Sequence, residues 1–92
     1  MYKYIVEFVG TFIFLAVILS HSDKPLAIGV ALAAVIYFGG PISGGHFNPA
    51  VSFMKFVEGS IENVDALGYI TSQVLGGVAA LYFLKSASNT TV

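Results

Sequence analysis

The sequence predicts an all-α membrane protein in which three transmembrane helices surround one re-entrant half-helix, a single domain over residues 1–92. Three observations predict it. Of 92 residues, 57% are apolar and 10% charged, with a mean hydropathy of +0.86; this balance belongs to membrane proteins rather than to small soluble domains. Three long apolar runs cover spans of about 3–20, 26–40 and 66–84. Between the second and third stands Ser43-Gly44-Gly45-His46-Phe47-Asn48-Pro49-Ala50-Val51, a glycine loop that turns into a helix too short to cross a bilayer.

The first run, Tyr2 to Ser20, is broken only by Lys3 at its edge and Glu7 within it. A cleaved leader is the competing reading, since a lysine precedes an apolar stretch. The run is long for such a leader, carries an acid and lacks a small-x-small cleavage site, so a retained span is expected. His21-Ser22-Asp23-Lys24-Pro25 forms a turn, and Pro25 is placed to start the second helix. That helix, Leu26 to Gly40, is slim with alanine and Gly29 and can continue into Pro41-Ile42.

The re-entrant unit occupies about 41–57. Gly44 and Gly45 permit the tight backbone before it, Asn48 is a preferred N-cap, and Pro49 suits the first helical position. From Pro49 to Val57 the helix rises about 1.5 Å per residue, so it covers only about half of a ~30 Å hydrocarbon core. Irregular backbone at that depth is tolerated where protein or a water-filled cavity surrounds it. The loop is therefore expected to line a pore.

The polar stretch from Glu58 to Asp65 is expected in water. The third span, Ala66 to Leu84, carries Gly68, Ser72, Gly76 and Ala80 at four-residue spacing, a small-residue stripe that lets another backbone approach closely. Lys85 closes the span, and Ser86 to Val92 reads as a frayed polar tail.

Composition excludes several function classes. There is no cysteine for a disulfide framework or thiol metal site, and four basic residues with a net charge of −1 argue against nucleic-acid binding. No metal is expected, because His46 and His21 stand far apart in the chain. No nucleophile is paired with a base, so neither an enzyme nor a cofactor is expected.

Three segments carry a family resemblance across nearly the whole chain. The loop from Ser43 to Val51 resembles the first Asn-Pro-Ala loop of the aquaporin and aquaglyceroporin (major intrinsic protein) family. Glu7-Phe8-Val9-Gly10-Thr11-Phe12 resembles that family's first-helix motif, and Tyr69-Ile70-x-x-Gln73-x-x-Gly76 its third-helix motif. Family members carry two tandem halves of inverted orientation, and this sequence resembles the N-terminal half. The position after the triplet is Val51, where a second half normally supplies a filter arginine, and Pro41 stands where the family more often has a non-proline residue.

The resemblance implies a channel for water or small neutral solutes. Asn48, Pro49 and Ala50 would form the narrow centre, where a half-helix points its positive end at mid-bilayer and discriminates against cations. Gly44, Gly45, His46 and Phe47 would line the approach, chiefly through backbone carbonyls, with His46 equally readable as a structural pin. Ile28 and Val51 are the selectivity-filter candidates, and together they suggest an apolar constriction. Glu7 would hold the re-entrant loop and Gln73 would brace it. An ionisable group inside a span costs at least about 2.5 kcal/mol at the centre unless it is partnered.

A complete pore needs two halves of opposite orientation. With three spans, Lys3 and Lys55 fall on one side and Lys24 and Lys85 on the other, two against two, which leaves orientation unspecified. An antiparallel, dual-topology homodimer is therefore expected in the lipid bilayer, with higher oligomers as the family has. A separate second-half protein is the alternative partner. A non-conducting half-channel that binds other membrane proteins is the alternative function.

Overall fold

The computed structural model describes residues 2–88. It contains four helices: α1 (Tyr2–Ser20), α2 (Pro25–Ser43), α3 (Pro49–Glu58) and α4 (Asn63–Ser88). Three of them are long and apolar enough to cross a membrane, α1, α2 and α4, the last over Asn63–Ala87. At about 1.5 Å per residue, the 19 residues of α1 and of α2 each reach about 28 Å, close to the thickness of the hydrocarbon core.

The bundle is organised around α1, which packs between α4 on one side and α2 on the other, while α3 packs against α4. Both α1 and α4 begin at the same end of the molecule. There Lys3 Nζ lies 2.9 Å from Asp65 Oδ1, and the Tyr4 hydroxyl donates to the same oxygen at 2.5 Å. Because α3 leads into α4 through a four-residue turn, its C-terminus shares that end with Lys3. The turn between α1 and α2, with Lys24 and Asp23, lies at the other.

The second helix runs three residues beyond the expected Gly40 and carries Pro41 inside its final turn. The missing Pro41 N–H removes the bond to the Tyr37 carbonyl. The helix closes nonetheless, because Gly44 adopts φ 90° and returns its N–H to the Gly40 carbonyl at 2.8 Å. The fourth helix begins at Asn63, ahead of the expected Ala66. Ala66 N–H already bonds the Glu62 carbonyl at 2.9 Å, and Asp65 favours the first turn. Ser86 to Ser88 continue this helix instead of fraying. The remainder of the expected tail, 89–92, lies outside the described residues.

The small-residue stripe is used within the chain, where it lets the α1 backbone approach α4 closely. Gly68 lies under the Tyr4 ring, Gly76 meets the backbone of Phe8 and Phe12, and Ala80 is fully buried. A Cβ on Gly76 would stand 2.6 Å from the Phe8 carbonyl oxygen. Ser72 sits on the same face and returns its hydroxyl to the Gly68 carbonyl at 2.7 Å. Spacing places small residues on one face, and α1 is the helix that face receives.

Candidate pore loop and half-helix

The loop between α2 and α3 combines three positive-φ residues, Gly44 at 90°, Gly45 at 66° and Phe47 at 49°. Glycine reaches this region freely, whereas a bulky side chain there costs about 1–2 kcal/mol. Phe47 accepts the strain because its ring fills a slot between Gly10 of α1 and Gly39 of α2. A Cβ on Gly39 would stand 2.9 Å from Phe47 Cζ, and one on Gly10 would overlap the ring outright. The Phe47 side chain is only 2% exposed. The ring therefore faces away from the approach to the loop and acts as the loop's apolar anchor.

Glu7 is the polar anchor. It is fully buried, and four donors face its carboxylate. Ser43 Oγ (2.7 Å) and His46 N–H (3.0 Å) reach Oε2. Phe47 N–H (2.8 Å) and Gln73 Nε2 (2.8 Å) reach Oε1. Hydrogen bonds to a charged group contribute about 1.5–3 kcal/mol each, so four of them offset the cost of placing the group in a span. Gln73 also donates to Ser52 Oγ at 2.8 Å, which ties α3 to α4.

His46 is half-buried and held on two sides. Its Nδ1 lies 2.8 Å from Ser52 Oγ, and its ring stacks on Tyr69 with centroids 4.6 Å apart. The Tyr69 hydroxyl donates to the Ser43 carbonyl at 2.6 Å and so closes the end of α2 from the α4 side. Ser43, Ser52 and Tyr69 were not singled out from sequence as site residues. Single hydroxyls on membrane helices carry no periodic signal, and their partners lie far along the chain.

Asn48 caps α3: its Oδ1 accepts the Ala50 N–H at 2.8 Å, and its amide hydrogens have no partner among the described residues. Pro49 follows at the first helical position. Asn48, Pro49 and Ala50 are all exposed, as is Gly44, with Gly45 and Val51 half-buried. The ten residues of α3 reach about 15 Å, so the capped end sits well inside the span of α1 and α4.

Beyond that end the interior is open. A groove of about 540 Å³ runs between Thr11, Phe14, Leu15 and Ile18 of α1 and the Gln73–Val78 face of α4, with Asn48 and Pro49 at its base. Two of the residues lining it, Thr11 and Gln73, carry buried oxygens, Oγ1 and Oε1, that have no hydrogen-bond partner among the described residues. Ile28 lies fifteen residues before the end of α2, about 22 Å along the helix from the loop. The described chain therefore does not bring the two filter candidates, Ile28 and Val51, together.

Comparisons with known proteins point one way. The family described as Major intrinsic protein matches residues 21–92. The Glycerol uptake facilitator protein-like 6 of Lactiplantibacillus plantarum is 42% identical over 94 residues, covering 94% of this chain and 44% of the relative. Aquaporin Z of Photorhabdus laumondii is 45% identical over 64 residues, 66% of this chain and 28% of the relative. Aquaporin PIP2-7 of Arabidopsis thaliana is 34% identical over 102 residues, 94% of this chain and 36% of the relative. The chain spans less than half the length of these curated relatives. No solved structure matches it.

Proposed function

The chain belongs to the major intrinsic protein family, and on that premise we propose that it is a channel subunit for passive transport of water or small neutral solutes. It is an integral, multi-pass membrane protein. Its pore forms when two halves of inverted orientation bring their Asn48-Pro49-Ala50 loops together.

The observation that carries this reading is the half-helix end. Asn48 and Pro49 stand exposed inside the bundle, at the base of an open groove between α1 and α4. A second half-helix entering from the opposite face would cover that end. Two facing positive helix ends raise a barrier to cations, while the Asn48 amide hydrogens offer water a partner. In an inverted pair, Ile28 of one half approaches the level of Val51 of the other and leaves an apolar constriction.

A second copy is the proposed partner. Lys3 and Lys55 lie at one end of this segment and Lys24 and Lys85 at the other, so its basic residues set no preferred orientation. Osmotic shrinkage of liposomes carrying the folded protein should exceed that of empty vesicles. Shrinkage at the empty-vesicle rate would favour the non-conducting interaction protein instead. Reporters active on opposite sides of the membrane, fused at the C-terminus, should both give signal. Signal from one side alone would assign the inverted half to a different polypeptide.

A further inference from the structure

The hydrogen bonds around Ser52 leave its proton a single destination. The Gln73 amide faces both the Glu7 carboxylate and Ser52 Oγ, each at 2.8 Å from the same nitrogen. A carboxylate only accepts, so the atom facing it is the amide nitrogen, and its two hydrogens go to Glu7 and to Ser52. Ser52 Oγ thereby accepts from Gln73 and keeps its own proton to give. The side chain is fully buried, and among the described residues the acceptor within reach is His46 Nδ1, at 2.8 Å.

A nitrogen that accepts carries no hydrogen, so the neutral imidazole must hold its proton on Nε2. That nitrogen lies over exposed Gly44, where a Cβ would stand 3.4 Å from it, and it has no partner among the described residues. Tyr69 of α4 stacks on the ring, and the charged groups acting on it are Glu7 of α1 and Lys55 of α3. None of these supplies an acceptor to Nδ1 that would reverse the assignment.

We propose that Ser52 is a positioning residue that locks His46 as the neutral Nε2–H tautomer, so that the imidazole presents a hydrogen-bond donor, and no acceptor nitrogen, to what passes it. The solutes this favours are neutral molecules with a lone pair to offer, such as water or an alcohol hydroxyl. A proton carrier finds no basic nitrogen at that point. The solute clause rests on the channel reading above, whereas the tautomer does not.

Nitrogen-15 NMR of the imidazoles, on the full chain reconstituted in liposomes at neutral pH, reads the tautomer directly. The chain holds two histidines, and a His21→Gln protein removes the signal of the other. We expect one His46 species with Nδ1 bare and Nε2 protonated. Ser52→Ala should give a mixture of both tautomers, and Ser52→Thr, which keeps the hydroxyl, should restore the single species. A wild-type His46 protonated on Nδ1, or on both nitrogens, would overturn the proposal, as would an unchanged single tautomer in Ser52→Ala. Should either variant fail to fold, the wild-type spectrum still decides. Shrinkage measured on the same vesicles separates the two claims: the expected tautomer in a protein that does not conduct would remove the channel reading and leave the role of Ser52 standing.

Discussion

The two ends of the bundle interior are built in opposite ways. Toward the end carrying Lys3 and Asp65, the space between α1, α2 and α4 is filled by the loop and α3, and Glu7, Ser43, Ser52 and Gln73 donate and accept among themselves. Toward the end carrying the α1–α2 turn, α1 and α4 leave an apolar groove open above Asn48 and Pro49, and Thr11 and Gln73 beside it carry buried oxygens without a partner among the described residues. One end is a finished core and the other is a mould. The difference teaches that the described residues satisfy their polar groups where they fill their own interior. Beside the open groove, two buried oxygens have no partner among the described residues.

The largest expected effect lies in the finished half. Glu7→Gln replaces an acceptor-only group with an amide whose NH₂ must face donors, leaving buried N–H groups unpaired at about 1–3 kcal/mol each. We expect a loss of about 4 kcal/mol and release of the loop, read as new protease sensitivity near His46. If the loop stays protected, the Glu7 bonds do not hold it.

Gly76→Leu comes next. Its first side-chain carbon would meet a backbone carbonyl, not a flexible side-chain end, so α1 and α4 must separate at about 2–3 kcal/mol. The check is unfolding of the detergent-solubilised single chain. An effect seen only in crosslinked pairs would place the stripe between copies.

Two changes in the open half should do little to the chain itself. Thr11→Val removes an unpartnered hydroxyl while keeping its shape, so stability should hold or rise by up to about 1 kcal/mol. A loss above that would mean the hydroxyl is already bonded. The smallest effect on folding is expected from Val78→Phe, on the exposed wall of the groove, within about 0.5 kcal/mol. Pairing, followed by crosslinking, should nonetheless fail because the groove is occupied. Normal pairing would break the comparison by showing that the groove is not where the second half sits.

Much of the finished half was legible from sequence, because its residues announce themselves. A carboxylate inside an apolar run must find partners, and Asn48 before Pro49 marks a helix start. The rest lay in contacts that spacing cannot express. Tyr69 reaches Ser43 across 26 positions and Gln73 reaches Glu7 across 66, while hydroxyls such as Ser52 look ordinary in a membrane helix. The anchoring role of the Phe47 ring was hidden for a related reason. Its destination is set by Gly10 and Gly39 on two other helices, and a glycine shows which backbone is open without showing what enters it. The stripe on α4 carried the same ambiguity, since its spacing identifies a face but not the helix that covers it.

The Phe47 ring between Gly10 and Gly39 has a bearing on the order of assembly. Membrane helices can form before they associate, but the slot for this ring exists only once α1 and α2 lie side by side. The loop must therefore dock after that hairpin closes, and it then works as a bolt across it: the two helices part only when the ring has first withdrawn. Escape requires the His46 and Phe47 N–H bonds to Glu7 to break in the same motion. Slow opening of the α1–α2 pair is thus governed by a five-residue segment that belongs to neither helix.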